Sequence, residues 1–379
     1  MATEKYDFAI LGGGIFGIYS ALFLAEKGLH ICLIEKEKEL MKKASVVNQA
    51  RLHSGYHYPR SVATAIMSNE NKARFTEDHK QFINFHFEKY YAIDKYGSFT
   101  DSLQFERFCR HIGIKCDKIP RHRLFNYHRL EALYSTIEYS FDPFLIAQSY
   151  REKVGGVKEI IIKKNTVVKE AEAVGDEWIL KLKNISGGEQ EEIRASQVIN
   201  ATYSASNAIN ALFGVNQIDL MHEISEIALM TSPQLGEIGL TVMDGPFGSI
   251  MPYGLSGLLS LSSVVYTHHK VSYEKTPHFN CQEINTDCRP DYTGNCNDCV
   301  ARPRTHYPKM IKQMSQYFSE DVEFNYFSSL FTIKSKLMAN YIDDGRPTEI
   351  SVLNENPRFY CIFAGKINSI YEIEKVVDI

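Results

Sequence analysis

Between Tyr6 and Glu35 the chain sets an apolar strand, a glycine turn, a helix and a second apolar strand end to end, an order that a nucleotide-binding α/β layer requires. Tyr6 to Leu11 reads Tyr-Asp-Phe-Ala-Ile-Leu, as expected of a buried parallel strand, and Gly12-Gly13-Gly14-Ile15-Phe16-Gly17 follows at once in the pattern GxGxxG. Gly17, Ala21 and Ala25 then recur every four residues, which puts the smallest side chains on one helix face and lets the helix lie close to the sheet. Gly28 suits the helix stop, and His30 to Ile34 predicts a second strand that closes on Glu35, placed to accept hydrogen bonds from ribose hydroxyls. The glycines let backbone approach a pyrophosphate, whose charge is stabilised by unpaired N–H groups and the dipole at the helix N-terminus. A tight strand-to-helix bend without ligand is the plainer alternative, but it has no need of the terminal acid. Glu35 in place of an Arg disfavours a 2′-phosphate. The motif alone does not separate flavin from nicotinamide dinucleotides.

The 379 residues suggest two or three domains, and 44% hydrophobic against 23% charged residues excludes a purely disordered chain. With 42 basic against 46 acidic residues the formal charge is −4, too balanced to steer the chain strongly towards nucleic acid. No stretch approaches the ~20 apolar residues that span a bilayer, and Glu4 and Asp7 interrupt the start where a signal peptide would be basic and then apolar. The expectation is a cytoplasmic protein without a transmembrane segment, whose eight cysteines stay reduced.

The rest of the nucleotide layer is predicted from separated pieces. Asp142 to Gly155 has a helical pattern, Lys158 to Val168 and Glu177 to Lys183 predict strands, and Gln197-Val198-Ile199-Asn200-Ala201-Thr202 is an apolar strand ending in small and hydroxyl residues. Near the C-terminus Arg358 to Phe363 predicts another strand, with Ala364-Gly365-Lys366-Ile367-Asn368 as its glycine turn. The predicted fold is α/β: a discontinuous Rossmann-like dinucleotide domain from residues 1–75, 140–205 and 330–379. A second, α+β substrate domain with a mixed or antiparallel sheet takes residues 76–139 and 206–329, including a cysteine insert at 281–299.

Asn48, Arg51, His53, Tyr56, His57, Tyr58 and Arg60 crowd one short loop. Its run Asn48-Gln49-Ala50-Arg51-Leu52-His53-Ser54-Gly55-Tyr56-His57-Tyr58 is similar to the Asn-x-x-x-x-His-x-Gly-x-Tyr-Tyr segment of L-2-hydroxyglutarate dehydrogenases, with His57 in place of the first Tyr. Together with the fingerprint and Glu35, this resembles the FAD-dependent oxidoreductases of the D-amino-acid oxidase-like superfamily, to which glycine oxidase also belongs. Two positions depart from the pattern: Tyr203 stands where an Ala-Thr-Gly signature has its glycine, and Lys366 is unusual beside the flavin's pyrimidine edge. The resemblance implies bound FAD, with Gly12, Gly14, Ile15, Phe16, Gly17, Glu35, Lys36, Asn48, Arg51, Leu52, His53, Val168, Ala201, Thr202, Gly365, Lys366, Ile367 and Asn368 around it. In some relatives the residue matching His53 carries a covalent flavin bond.

Flavin oxidation of a C–H beside an amine or hydroxyl needs the donor carbon near flavin N5, and an alcohol also needs a group to take its proton. His53, His57, Tyr58 and Tyr253 are the candidate catalytic groups, and Arg51, Arg60 and Ser249 the candidate substrate contacts, since a guanidinium binds planar oxyanions through paired hydrogen bonds. Hydrogen-bonded structural histidines and a Tyr hydroxyl closing a turn are the competing readings. His268 and His269 are expected to end a strand in solvent. With a single dinucleotide fingerprint, an organic substrate is the expected hydride donor and oxygen or an unidentified acceptor the electron sink. An NAD-dependent dehydrogenase and a non-catalytic flavin-bound assembly module are the alternatives.

Cys281, Cys288, Cys296 and Cys299 follow a Cys-x6-Cys-x7-Cys-x2-Cys pattern, one half of which has zinc spacing and the other not. Zinc and structural thiols both fit it. Cys32, Cys109, Cys116 and Cys361, and the aromatics Phe82, Phe85, Phe87, Tyr90, Tyr91, Phe105 and Phe108, are expected in cores rather than in a stacking platform.

Overall fold

The computed structural model describes residues 3–62, 65–66, 71–338 and 348–377. Its first sheet is parallel at the centre, with strands in the order Arg358–Phe363, Gln190–Asn200, Glu4–Leu11, Ile31–Ile34, Ile160–Lys163. Strand Ile31–Ile34 is buried throughout, as its unbroken apolar run Ile-Cys-Leu-Ile requires when both faces are covered. Helices Ile15–Ala25 and Pro143–Gly155 pack on this sheet through Ile18, Ala21, Leu24, Ile146 and Tyr150. The second helix starts at Pro143, where the missing N–H costs nothing, and the Asp142 carboxylate accepts from Phe144 N and Leu145 N at 3.0 Å each. Along the edge away from Glu4–Leu11 the long strand Gln190–Asn200 serves two neighbours: its second half runs parallel to Arg358–Phe363, and its first half is antiparallel to Glu177–Asn184.

The run from Lys158 to Val168 is two strands, Ile160–Lys163 and Thr166–Val174, because Asn165 turns the chain in the left-handed region at φ 51°.

A second, mixed sheet of nine strands carries Ile238–Met243, Gly248–Pro252 and Leu259–Ser263 as an antiparallel meander, with Glu88–Asp94 parallel to the first of these. Strand Asn325–Leu337 pairs with Leu220–Thr231 in this sheet, so a boundary at residue 330 would cut through it. Among the described residues a third sheet joins three short strands in the order Arg51–Leu52, Tyr139–Phe141, Ile83–Asn84. His269 corrects the sequence reading: it is buried, 2.7 Å from the Glu226 carboxylate, with its ring stacked at 3.8 Å on His306. His268 bonds Ser225 Oγ at 2.9 Å and is largely buried too. Alternation along Leu220–Thr231 is lost because both faces of the strand are covered.

Tyr90, Tyr91, Phe105 and Phe108 are core residues, as are Cys32, Cys109 and Cys361, whereas Cys116, Phe82, Phe85 and Phe87 are half-buried.

Candidate active site

The carboxyl ends of the parallel strands face a cavity of about 760 Å³, large enough for a dinucleotide-sized ligand. Leu11 leads into Gly12, which takes φ +102° and lies so close to the neighbouring strand that a Cβ there would stand 2.7 Å from the Ala201 carbonyl oxygen. Gly17 does not line the cavity; a Cβ on it would fall 1.9 Å from the Gly12 carbonyl oxygen, so its part is to seat the helix under the turn. Gly14 caps the helix without a side chain, and Ile15 N donates to Ser45 Oγ at 3.0 Å. Glu35 accepts from Gly13 N at 2.6 Å and from Glu37 N at 2.7 Å; burial pushes its carboxyl above the usual range and the two N–H groups partly offset this. Burial and the neighbouring Lys43 lower Lys36 to about 7.

Val168, Ala201, Thr202, Gly365, Lys366, Ile367, Asn368, Lys36, Asn48, Arg51, His53 and Tyr58 all line the same space, together with Ile15, Phe16 and Glu35. Tyr203, where the signature has glycine, takes a left-handed φ of 55°. Its hydroxyl donates to Ser335 O at 3.0 Å and accepts from Ser335 N at 3.1 Å, two bonds that offset the strain and tie the first sheet to the second.

Above the cavity a buried polar cluster reaches in through Arg51. The guanidinium donates to Thr241 Oγ1 at 2.9 Å and to Ser249 Oγ, and lies 3.5 Å from Glu138. Glu138 is fully buried, accepts from Tyr91 OH at 3.0 Å and stands 3.7 Å from His53 Nδ1. Lys89 donates to the same Thr241 hydroxyl; it is enclosed, and burial next to Arg51 holds its ammonium well below the ordinary lysine range. Burial next to Glu138 drives the Tyr91 phenol well above its own. Glu138, Lys89 and Thr241 were not singled out from sequence; the one local signal was a Lys next to the run Tyr90-Tyr91-Ala92-Ile93.

Several expected contacts lie elsewhere. Ser249 touches Arg51 rather than the cavity, and Leu52 is core. Tyr253 is wholly buried, its hydroxyl donating to Val46 O at 2.7 Å, so its place is in the apolar core shared with the first sheet. Arg60 is exposed and paired with Asp244 across Phe99, outside the cavity. His57 is not on the cavity wall but packs edge-on against Tyr58, with centroids 5.6 Å apart, while Lys366 Nζ lies over the Tyr58 ring, 4.7 Å from its centroid.

Residues 7–263 match the family described as DAO, FAD dependent oxidoreductase. The chain belongs to that family. It is an FAD-dependent oxidoreductase, which sets aside the nicotinamide and assembly-module alternatives, and the tight glycine turn with Glu35 on the cavity wall fits this cofactor. The chain is 21% identical over 379 residues to "FAD-dependent monooxygenase FPY4" of Fusarium mangiferae, covering 97% of this chain and 89% of that protein. A stretch of 58 residues is 45% identical to the mitochondrial L-2-hydroxyglutarate dehydrogenase of Nematostella vectensis, covering 15% of this chain and 13% of the relative. In fold it is similar to glycine oxidase from Geobacillus kaustophilus, with a TM-score of 0.66 at 14% identity, 97% of this chain and 91% of that one being covered.

All four insert cysteines are free and line one small void, yet among the described residues no three His, Cys, Asp or Glu side chains are grouped to hold a metal ion. Of the two readings, zinc finds no support; Gly294 N lies 3.1 Å from Cys288 Sγ and Asn285 Nδ2 3.3 Å from Cys299 Sγ. Among the described residues no helix is long and apolar enough to cross a membrane.

Proposed function

We propose that this oxidoreductase oxidises a C–H bond next to a hydroxyl or amine in a small substrate bearing a carboxylate. The observation that carries the reading is the composition of the roof. Arg51 and Lys89 share the Thr241 hydroxyl, with Glu138 as the buried carboxylate facing both, and Arg51 alone of the three lines the cavity. The Arg51 guanidinium on the cavity wall favours an anion in the space it faces, and an anion bound there would in turn favour the charged form of the buried Lys89. Thr241, Ser249 and Met251 fix the guanidinium in one orientation, so little ordering is left for substrate to bring about.

Bound FAD supplies the two-electron acceptor in the same cavity. His53, on the wall and close to Glu138, is the group placed to take a proton from a substrate hydroxyl, and the carboxylate stabilises the imidazolium that results. Tyr58 closes the wall beside it, with the ring centroids 6.2 Å apart. The names of the hydroxyglutarate dehydrogenase and glycine oxidase relatives favour 2-hydroxy and 2-amino acids as the class. The end-to-end match to FPY4 favours one second reading, oxygen insertion, which would require an external reductant.

The test is anaerobic: 2-hydroxy acids, amino acids, amines and the methyl esters of the acids are mixed with the flavoprotein while its absorbance is followed. Bleaching by an acid but not by its ester is expected. Bleaching by NADH or NADPH with none by any organic donor would contradict the proposal and leave the second reading.

A further inference from the structure

The cysteine insert reaches the cofactor cavity. Arg289, Asp291, Tyr292, Thr293 and Cys296 line its wall together with Glu35 and Lys36. The acid ending the second strand marks the ribose side of a dinucleotide, and the helix N-terminus at Gly14 marks the diphosphate. The insert therefore flanks the adenosine half.

Two lysines hold it there. Lys36 Nζ donates to the Thr293 carbonyl, and Lys43 Nζ donates to the same oxygen at 3.0 Å. The Lys36 ammonium also lies over the Tyr292 ring, 4.2 Å from its centroid, and Lys43 pairs with Glu37 at 2.8 Å. Beneath the loop a void of about 20 Å³ is lined by all four cysteines, and Gly294 and Cys296 line both this void and the main cavity. Cys281 and Cys296 pack on Phe279, Ile224 and Ile333, which anchors the base of the loop to the second sheet. The tip is tied to the nucleotide sheet's side by two lysine Nζ groups on one carbonyl, while the base is fixed by apolar packing.

We propose that residues 289–296 form a clasp over the adenosine half of FAD, latched by Lys36 and Lys43 through the Thr293 carbonyl, so that the cofactor leaves only when the latch opens. The proposal rests on the FAD site described above and adds to it a set of contacts from a part of the chain outside the nucleotide sheet. Cys296, on the wall under the clasp, reports its opening: burial pushes its thiol up to about 12, so in the closed state it is protonated as well as shielded.

Two measurements on the flavin-loaded protein test this. Release of FAD on dilution, followed by flavin fluorescence, should be about tenfold faster in Tyr292→Ala and in the double variant Lys36→Met, Lys43→Met than in the wild type. Alkylation of wild-type Cys296 by iodoacetamide, read by mass spectrometry of its peptide, should be slowed about tenfold or more by saturating FAD. Labelling indifferent to FAD overturns the clasp whatever the variants do, and so does release within about twofold of wild type in variants that retain flavin. A wild-type protein that takes up no FAD at all would instead overturn the cofactor site itself, and the clasp with it.

Discussion

The floor and the roof of the cavity are built from different materials. The floor is backbone: a glycine turn, a helix N-terminus, and the Ala201 and Gly365 turns at the ends of parallel strands, contributed by short runs of adjacent residues. The roof is side chains: Arg51, Lys89, Tyr91, Glu138, Thr241 and Ser249 come from five separate stretches and meet in a buried hydrogen-bonded cluster. A cofactor common to many enzymes is bound by geometry that tolerates few substitutions, whereas a particular substrate is met by charges whose value depends on one another. Damage to the floor should remove the cofactor; damage to the roof should leave it bound and change what it reacts with.

The largest effect is expected at Gly17. With no space for a Cβ against the Gly12 carbonyl, Gly17→Val should yield protein without flavin, measurable as loss of absorbance in the purified sample. Retention of a full flavin complement would mean that the turn is not what seats the diphosphate. Next is Glu138→Gln, which leaves the buried Arg51 without its counter-charge at nearly constant volume. It should cost about 3–5 kcal/mol of stability while the flavin stays, and a loss below about 1 kcal/mol by chemical denaturation would show that the roof is not a coupled unit.

The seam between the two regions gives smaller effects. His222 is buried against Ser335 Oγ at 2.7 Å, and burial lowers it from the ordinary 6.5 to about 4. Between those values an unfolded imidazole binds a proton that the folded one excludes. Stability should therefore fall as pH drops from 6.5 to about 4, and His222→Gln should flatten that window in a pH series of thermal melts. The smallest change is expected for Tyr203→Phe, which forfeits both Ser335 bonds and keeps the ring. A loss of about 1–2 kcal/mol would agree with the strain argument, and no loss would mean that the left-handed Tyr203 is held by packing alone.

The same division explains what could be read in advance. The strand, turn, helix and acid from Tyr6 to Glu35 were legible because each residue's role is fixed by its immediate neighbours, and so was the crowded loop that delivers Arg51, His53 and Tyr58 to the wall. Arg60 and Tyr253 were chemically plausible but went astray because sequence spacing says nothing about which side of a loop meets the cavity. Arg60 found Asp244 and Tyr253 found the Val46 carbonyl, both far off in sequence. Glu138 and Lys89 were silent for a related reason: a charge is ordinary at the surface, and only the folded pairing shows that these two are enclosed. His269 shows the same failure in reverse, since its partner Glu226 lies on another strand.

The division of labour between floor and roof is tested most directly by titrating oxidised wild-type and Arg51→Met protein with a simple 2-oxo acid and recording the flavin difference spectrum. Both proteins should be fully flavin-loaded, and only the wild type should give a saturable spectral change. Equal titration of the two, or loss of flavin from the Arg51→Met protein, would contradict an anion-receiving roof over a separately built cofactor floor.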